Sequence, residues 1–246
     1  PLVAHATFFD DVGYSDLVAE LGGSVPTGTG IPVSQIEAEQ EDNYLPNEAN
    51  DEFSGKDIDP KSGSSGVSTH ANGMAQRFFG NTISTAPRVT QIDLWEADHW
   101  LDSGFLKTGT VQTPLVETQR VQNHSWVGSM GNDGQDSNAM HRLDFVIERD
   151  GIVASVGMDN GSSTVLPKLL GQSFNTISVG KTDGEHSHGF TTLVGSGRIK
   201  PEIVAPSNTT SRATARVSAA AAILLEQAAG SPANNPRTIK AVLMAG

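Results

Sequence analysis

The sequence predicts an α/β protein in three layers: a central, mostly parallel sheet covered by helices on both faces. Three observations predict it. Short apolar runs, bounded by Gly, Pro and polar residues, recur along the chain at the length of buried strands. Between them lie segments with apolar residues at helical spacing or with capping residues at their starts. The two kinds alternate, and parallel strands need crossovers that pack as helices on the sheet faces.

The elements follow in order. Tyr14–Leu21 is a short helical candidate, and Gly22–Gly30 is a Gly/Thr-rich approach. Pro32–Ala38 reads as a buried strand. Residues 39–66 are acidic, polar and rich in Gly, Pro, Asn and Ser, so they read as a long loop. His70–Phe79 reads as a helix ending at Gly80, and Arg88–Glu96 as a strand. A poorly patterned segment runs to Gln119. Val121–Val127 is a further strand and Gly128–Asp136 a Gly/Asp/Asn loop. Asn138–Arg149 carries Met140, Leu143, Val146 and Ile147 at helical spacing. Ile152–Val156, between Gly151 and Gly157, and Asn175–Val179 complete the apolar strands. Lys200–Pro206 reads as a strand end and loop, leading to Ser211 at the mouth of the small-residue helix Ala213–Leu225. The last helix is Pro236–Met244, with Pro at its start.

Composition narrows the function. The chain has 246 residues, 37% of them hydrophobic, enough for one large α/β domain or two small ones, and nothing in the middle reads as a linker. A net charge of −12 argues against nucleic acid, which needs clustered Lys and Arg, and against anionic membrane surfaces. The absence of cysteine excludes disulfides, Cys-ligated zinc and a thiol nucleophile. No apolar run approaches the roughly 18–20 residues of a membrane helix. The sequence opens on Pro1 without Met and stops inside the helical pattern Ala241–Gly246. It is therefore expected to be a piece of a longer protein, with 1–246 forming one domain and residues 1–30 a lead-in.

Ser211 draws attention because the first turn of a helix has unpaired N–H groups at its positive end, where an oxyanion is stabilised. The plainer reading of such a serine is an N-cap. A serine nucleophile also needs a base, and a carboxylate to orient that base. Of the seven histidines, only His70 opens a helix after a Gly/Ser-rich loop, with the small residues Ala71 and Gly73 beside it.

Taken together, these segments resemble the subtilisin-like serine proteases, the subtilases. The family histidine motif is His-Gly-Thr-x-Val-Ala-Gly with a further Gly, and His70, Ala75 and Gly80 match it. Ala71, Asn72, Met74 and Gln76 depart from it. In the serine motif, Thr210, Ser211, Ala213, Val217, Ala220 and Ala221 match. Thr209, Ala215 and Ala219 replace Gly, Pro and Gly. Lys200-Pro-Glu-Ile-Val-Ala-Pro206 is close to the family's Lys-Pro-Asp-Ile-Val-Ala-Pro and is the most specific match. The family aspartate ends the first strand, and Glu37 falls there. Glu39 and Asp42 are fallback orienters beyond the strand end. The order carboxylate, histidine, serine is that of subtilisin.

The resemblance implies a secreted or cell-envelope serine endopeptidase with Glu37, His70 and Ser211 as its triad. It acts on a peptide or protein and needs no cofactor. Val121–Gly128 resembles the strand that pairs with substrate, with Ser125, Trp126 and Gly128 as substrate-binding residues. The family's oxyanion asparagine follows the next strand, where this chain has Met158, Asp159 and Asn160. Methionine cannot donate. Either Asn160 fills the role through a shifted loop, or the backbone N–H of Ser211 acts alone. Calcium is common in the family, but the oxygen-rich loop Asn132–Asp136 lacks EF-hand spacing and reads as solvated, so no metal site is assigned. The rival classes are a subtilase-fold pseudoenzyme that holds an extended peptide uncut, and a serine hydrolase of non-peptide esters.

Overall fold

The computed structural model describes residues 7–193 and 195–245. The first six residues of the expected lead-in, His5 among them, lie outside the described residues. Its centre is a seven-stranded sheet in the order β2-β3-β1-β4-β5-β6-β9, with every pairing parallel. The strands are β1 Val33–Glu37, β2 Asp57–Pro60, β3 Gln91–Glu96, β4 Val121–His124, β5 Val153–Gly157, β6 Ile177–Lys181 and β9 Ile203–Ala205. A separate antiparallel hairpin pairs β7 Gly189–Thr192 with β8 Gly195–Lys200. The helices are α1 Phe8–Asp11, α2 Tyr14–Leu21, α3 Thr69–Phe79, the short α4 Ala97–His99, α5 Asp133–Asp150, α6 Thr210–Gln227 and α7 Pro236–Ala245.

Alternating residues send the strands' apolar side chains to two cores. Val33, Val121, Val153 and Val179 join Met74, Phe78 and the alanines of α6 on one face. Ile36, Ala154 and Val156 join Trp100, Leu143 and Ile147 on the other. This is the expected three-layer arrangement. The chain leaves β1 towards the edge strand β2, returns through β3 and resumes beyond β1 at β4. The strand order therefore reverses around β1, and in such sheets ligands bind at the carboxyl ends beside that reversal.

Two expectations need correction. Residues 39–66 are not all loop, because Asp57–Pro60 forms edge strand β2. Its Asp-Ile-Asp-Pro sequence has no apolar run to reveal it, and Pro is tolerated at an edge. The loop expected over Gly128–Asp136 ends early. Asn132 accepts a hydrogen bond from Gln135 N and caps α5, so the oxygen-rich Asp133–Asp136 is a helical first turn. Asp136 there accepts from Ser129 Oγ and from Met130 N.

Small residues set how closely α6 lies on the sheet. Ala213, Ala215, Ala219, Ala221 and Ala222 are fully buried there, and the helix packs against β4, β5 and β6. At Gly157, the end of β5, a Cβ would lie 3.2 Å from Thr214 Oγ1. Glycine there lets β5 end directly under the first turns of α6.

Candidate active site

Glu37 is the last residue of β1 and is fully buried. His70 is the second residue of α3, a helix capped by Ser68, whose hydroxyl accepts from Ala71 N at 3.1 Å. Gln40 Oε1 fixes the same turn, accepting from His70 N at 3.1 Å and from Thr69 Oγ1 at 2.9 Å. Gln35 Nε2 donates to Ala71 O at 3.0 Å. Held from both sides, His70 Nδ1–H donates to Glu37 Oε2 at 2.7 Å. A carboxylate only accepts, which assigns the proton to Nδ1 and leaves Nε2 of the neutral ring unprotonated. The fallback orienters Glu39 and Asp42 are exposed and make no contact with His70.

Each member of the pair shifts the other. Burial pushes the Glu37 carboxyl above its usual range, and the hydrogen bond and charge of His70 pull it back. The hydrogen bond to Glu37 raises the His70 imidazole, against burial, and the nearby Arg212 guanidinium opposes the rise. Glu37 Oε1 is buried without a partner, so His70 is this carboxylate's main compensation.

Ser211 is the second residue of α6. It is not the N-cap: Thr209 holds that place, accepting from Arg212 N at 3.3 Å. The Ser211 hydroxyl is therefore not used up in capping. Ser211 O accepts from Ser125 Oγ at 2.9 Å, and Ser125 in turn shares hydrogen bonds with Asn123 at 3.0 and 3.2 Å. Asn123 Oδ1 also accepts from Ser218 Oγ at 3.1 Å, which ties β4 to α6. The helices α3 and α6 pack together, and the guanidinium of Arg212, next to Ser211, is near enough to act on the His70 imidazole. No hydrogen bond joins the Ser211 hydroxyl to His70 among those of the described residues.

Asn160 comes to the same helix end. Its Oδ1 accepts from Thr210 N at 2.9 Å and from Thr210 Oγ1 at 3.3 Å. Met158 is buried instead, with its N–H donating to Val179 O at 3.1 Å. It extends β5 into the core. Met158 is therefore a packing residue, and a side-chain amide, that of Asn160, lies two positions further on.

All three expected substrate-binding residues line open space. Trp126 borders a cavity of about 80 Å³ beside Ser211 and Asn160, and also a larger cleft of about 800 Å³. Gly128 lines the larger cleft, with its carbonyl accepting from Leu169 N. Beyond His124, the Trp126–Val127 backbone pairs with no other strand among the described residues. Ser125 is buried and donates to Ser211 O, so it holds the serine segment, and it also lines the small cavity beside Ser211. Glu39, Glu96, Asp98 and Asp102 give the larger cleft its acidic character. Gln40 and Arg212 were not singled out from the sequence, and Thr209 was named there only as a departure from the motif. Gln40 and Thr209 act only through hydrogen bonds to another segment or to their own helix end.

Three solved structures share this architecture. A cold-adapted subtilisin-like serine proteinase superposes with a TM-score of 0.58 at 15% identity, over 89% of this chain and 82% of that one. The prenylagaramide maturation protease PagA gives 0.65 at 17% identity, over 95% and 88%. A protease from Pseudoalteromonas arctica gives 0.56 at 14% identity, over 90% and 84%. Such likenesses establish the fold as that of the subtilisin-like serine proteases. The profile of the Subtilase family matches residues 46–245, and the chain belongs to that family. It is a family of serine peptidases, whose substrates are peptides or proteins. The matched span contains His70 and Ser211 and begins after Glu37. No curated protein matches the chain. Among the described residues, no three His, Asp or Glu side chains gather as a metal site, and no helix is long and apolar enough to cross a membrane.

Proposed function

We propose that the chain is the catalytic domain of a serine endopeptidase acting through Glu37, His70 and Ser211. The observation that carries this reading is the 2.7 Å hydrogen bond from His70 Nδ1 to the buried Glu37, beside a helix start that carries a serine not used as its cap. His70 Nε2 removes the Ser211 proton as Oγ attacks the peptide carbonyl, and the C–N bond then breaks as the imidazolium returns that proton to the leaving amine. Water, activated by the same imidazole, hydrolyses the acyl-enzyme. Glu37 fixes the tautomer and stabilises the imidazolium. The developing oxyanion is met by Ser211 N–H and by Asn160 Nδ2, whose amide is aimed by the bonds from Thr210 to Oδ1. The unpaired Trp126–Val127 edge suits an extended peptide added as a strand, and Gly128 and Trp126 border the clefts that receive its side chains. Family membership favours export to the cell envelope or beyond.

One observation favours a second reading, a relative that holds a peptide without cutting it: Ser211 and His70 share no hydrogen bond. Free enzymes often show loose catalytic contacts that tighten with substrate. Labelling with a fluorophosphonate probe separates the two readings. Adduct formation at Ser211, lost in Ser211→Ala and strongly reduced in His70→Ala, is expected. A folded protein that takes no label at Ser211 would overturn the peptidase reading.

A further inference from the structure

The segment from Met158 to Thr176, between β5 and β6, contains no helix or strand. Asn160 lies near its start, and backbone bonds must hold it. They come from one place, the turn Glu185–His188 that follows β6. Gly161 N donates to Glu185 O at 3.1 Å, Ser187 N to Asp159 O at 3.0 Å, and His188 N to Ser163 O at 2.8 Å. Asp159 N donates to Ser187 Oγ at 3.1 Å. Asn160 and His186 face each other in the resulting antiparallel bridge.

That turn is itself pinned to the sheet by one side chain. His186 is 7% exposed, and its Nδ1 accepts from the backbone N–H of Lys181, the last residue of β6, at 3.1 Å. The ring lies over Gly180. A Cβ at that position would come within 2.8 Å of His186 Cδ2 and Nε2, and equally of Pro201 Cγ. Glycine in the middle of a strand is unfavourable unless something must approach closely, and here the imidazole does. Nδ1 accepts only when it carries no proton, which requires a neutral ring. Burial, followed by the charge of neighbouring His188, lowers the His186 pKa and keeps the ring neutral, against the pull of Asp183.

We propose that His186 is a positioning residue for Asn160: it anchors the turn to β6, the turn clamps the loop, and the loop presents the Asn160 amide at the start of α6. This rests on the peptidase reading for its effect on catalysis, although the clamp itself does not. His186 touches neither substrate nor Ser211. Its loss therefore removes no binding contact, and the effect falls on the transition state, where the oxyanion exists.

The test compares His186→Ala, His186→Asn and Asn160→Ala, singly and combined, each checked for folding by its thermal melt. His186→Ala is expected to lower kcat by about 10–100-fold, within the range for loss of an oxyanion donor, with KM within about twofold. His186→Asn keeps an acceptor at the δ1 position and is expected to recover most of that loss. In the Asn160→Ala background, His186→Ala is expected to add less than about threefold, because the two changes act through one group. Multiplicative losses in the double variant, or a rise in KM at unchanged kcat, would overturn the proposal. Amide exchange supplies the readout that does not need turnover. Peptides covering Asp159–Ser163 should exchange faster in His186→Ala and near the native rate in His186→Asn, while those of α3 stay unchanged. Unaltered exchange at Gly161 in His186→Ala sinks the clamp even in an active enzyme. A native protein without Ser211-dependent turnover sinks the peptidase reading, and the exchange result still decides the clamp.

Discussion

The two halves of the site are built differently. The Glu37–His70 half stands on regular elements, with a strand end beneath it and a capped helix above it. The polar contacts in this half join the end of β1 and the residues just after it to the first turn of α3, or lie within that turn. The Asn160 half stands on an irregular loop, held by a turn some 25 residues later and by the first turn of α6. The first half joins two regular elements. The second depends on the agreement of three distant segments, so it is the half that tolerates sequence change least visibly and fails most gradually.

Mutations can break this contrast at either end. The largest effect is expected from Glu37→Gln. Its amide can present an N–H to His70 Nδ1 and favour the wrong tautomer, so kcat should fall by about 10⁴-fold. The same change removes the main cause of the raised His70 pKa. Activity needs neutral His70, and is present above that pKa and lost as pH falls through it. The acid limb of residual kcat/KM should therefore move to lower pH in Glu37→Gln, read from a pH–rate profile. Asn160→Ala comes next, with kcat lower by about 10²–10³ and KM nearly constant. If KM rises in place of kcat falling, Asn160 binds substrate in the ground state and the oxyanion role is wrong.

Glu37→Asp sharpens the contrast. It is the residue the family motif carries, yet here it withdraws the carboxylate by one methylene from a histidine placed to suit Glu. A loss of about 10²-fold is expected, the usual scale for a misplacement near 1 Å. Activity at or above the native level in Glu37→Asp would mean that the backbone of β1 is not set back for the longer acid. The smallest effect belongs to Arg212→Ala. Arg212 lowers the His70 pKa, so its removal should move the acid limb to slightly higher pH. A shift in the other direction would show that the guanidinium does not act on His70.

The same contrast explains what was legible in the sequence. Val33–Glu37 and Thr69–Phe79 announce themselves through an apolar run, a helix start and a cap at Ser68, all local signals. Glu37 was readable only through the family resemblance, which places a carboxylate at the end of the first strand. The hairpin Gly189–Lys200 left no such trace, since its glycines and exposed Phe190 and Ile199 mimic a loop. The cap of α6 was legible only in part, because Ser and Thr at positions 209 to 211 all suit it and the backbone alone decides that Thr209 does the work. Met158 misled for a related reason. Aligning the loop by residue type exposes a methionine, whereas the strand register continues into the core and buries it. Ser125 shows the same limit: its position beside the groove was readable, but its commitment to the Ser211 carbonyl comes from a contact across 86 residues.

The stretch that most clearly marked the family, Lys200–Pro206, has no direct part in the chemistry. Lys200 is 1% exposed and pairs with Glu202 at 2.7 Å. Glu202 also accepts from Ser178 N of β6, and Lys240 of α7 reaches it at 3.2 Å. This ionic knot fastens the far side of the sheet to the last helix. A descendant that had exchanged Ser211 for alanine would keep the knot intact and carry the same signature. In this protein the most recognisable words in the sequence describe the mounting of the instrument, and the competence proposed for it rests on the few less distinctive residues around positions 37, 70, 160 and 211.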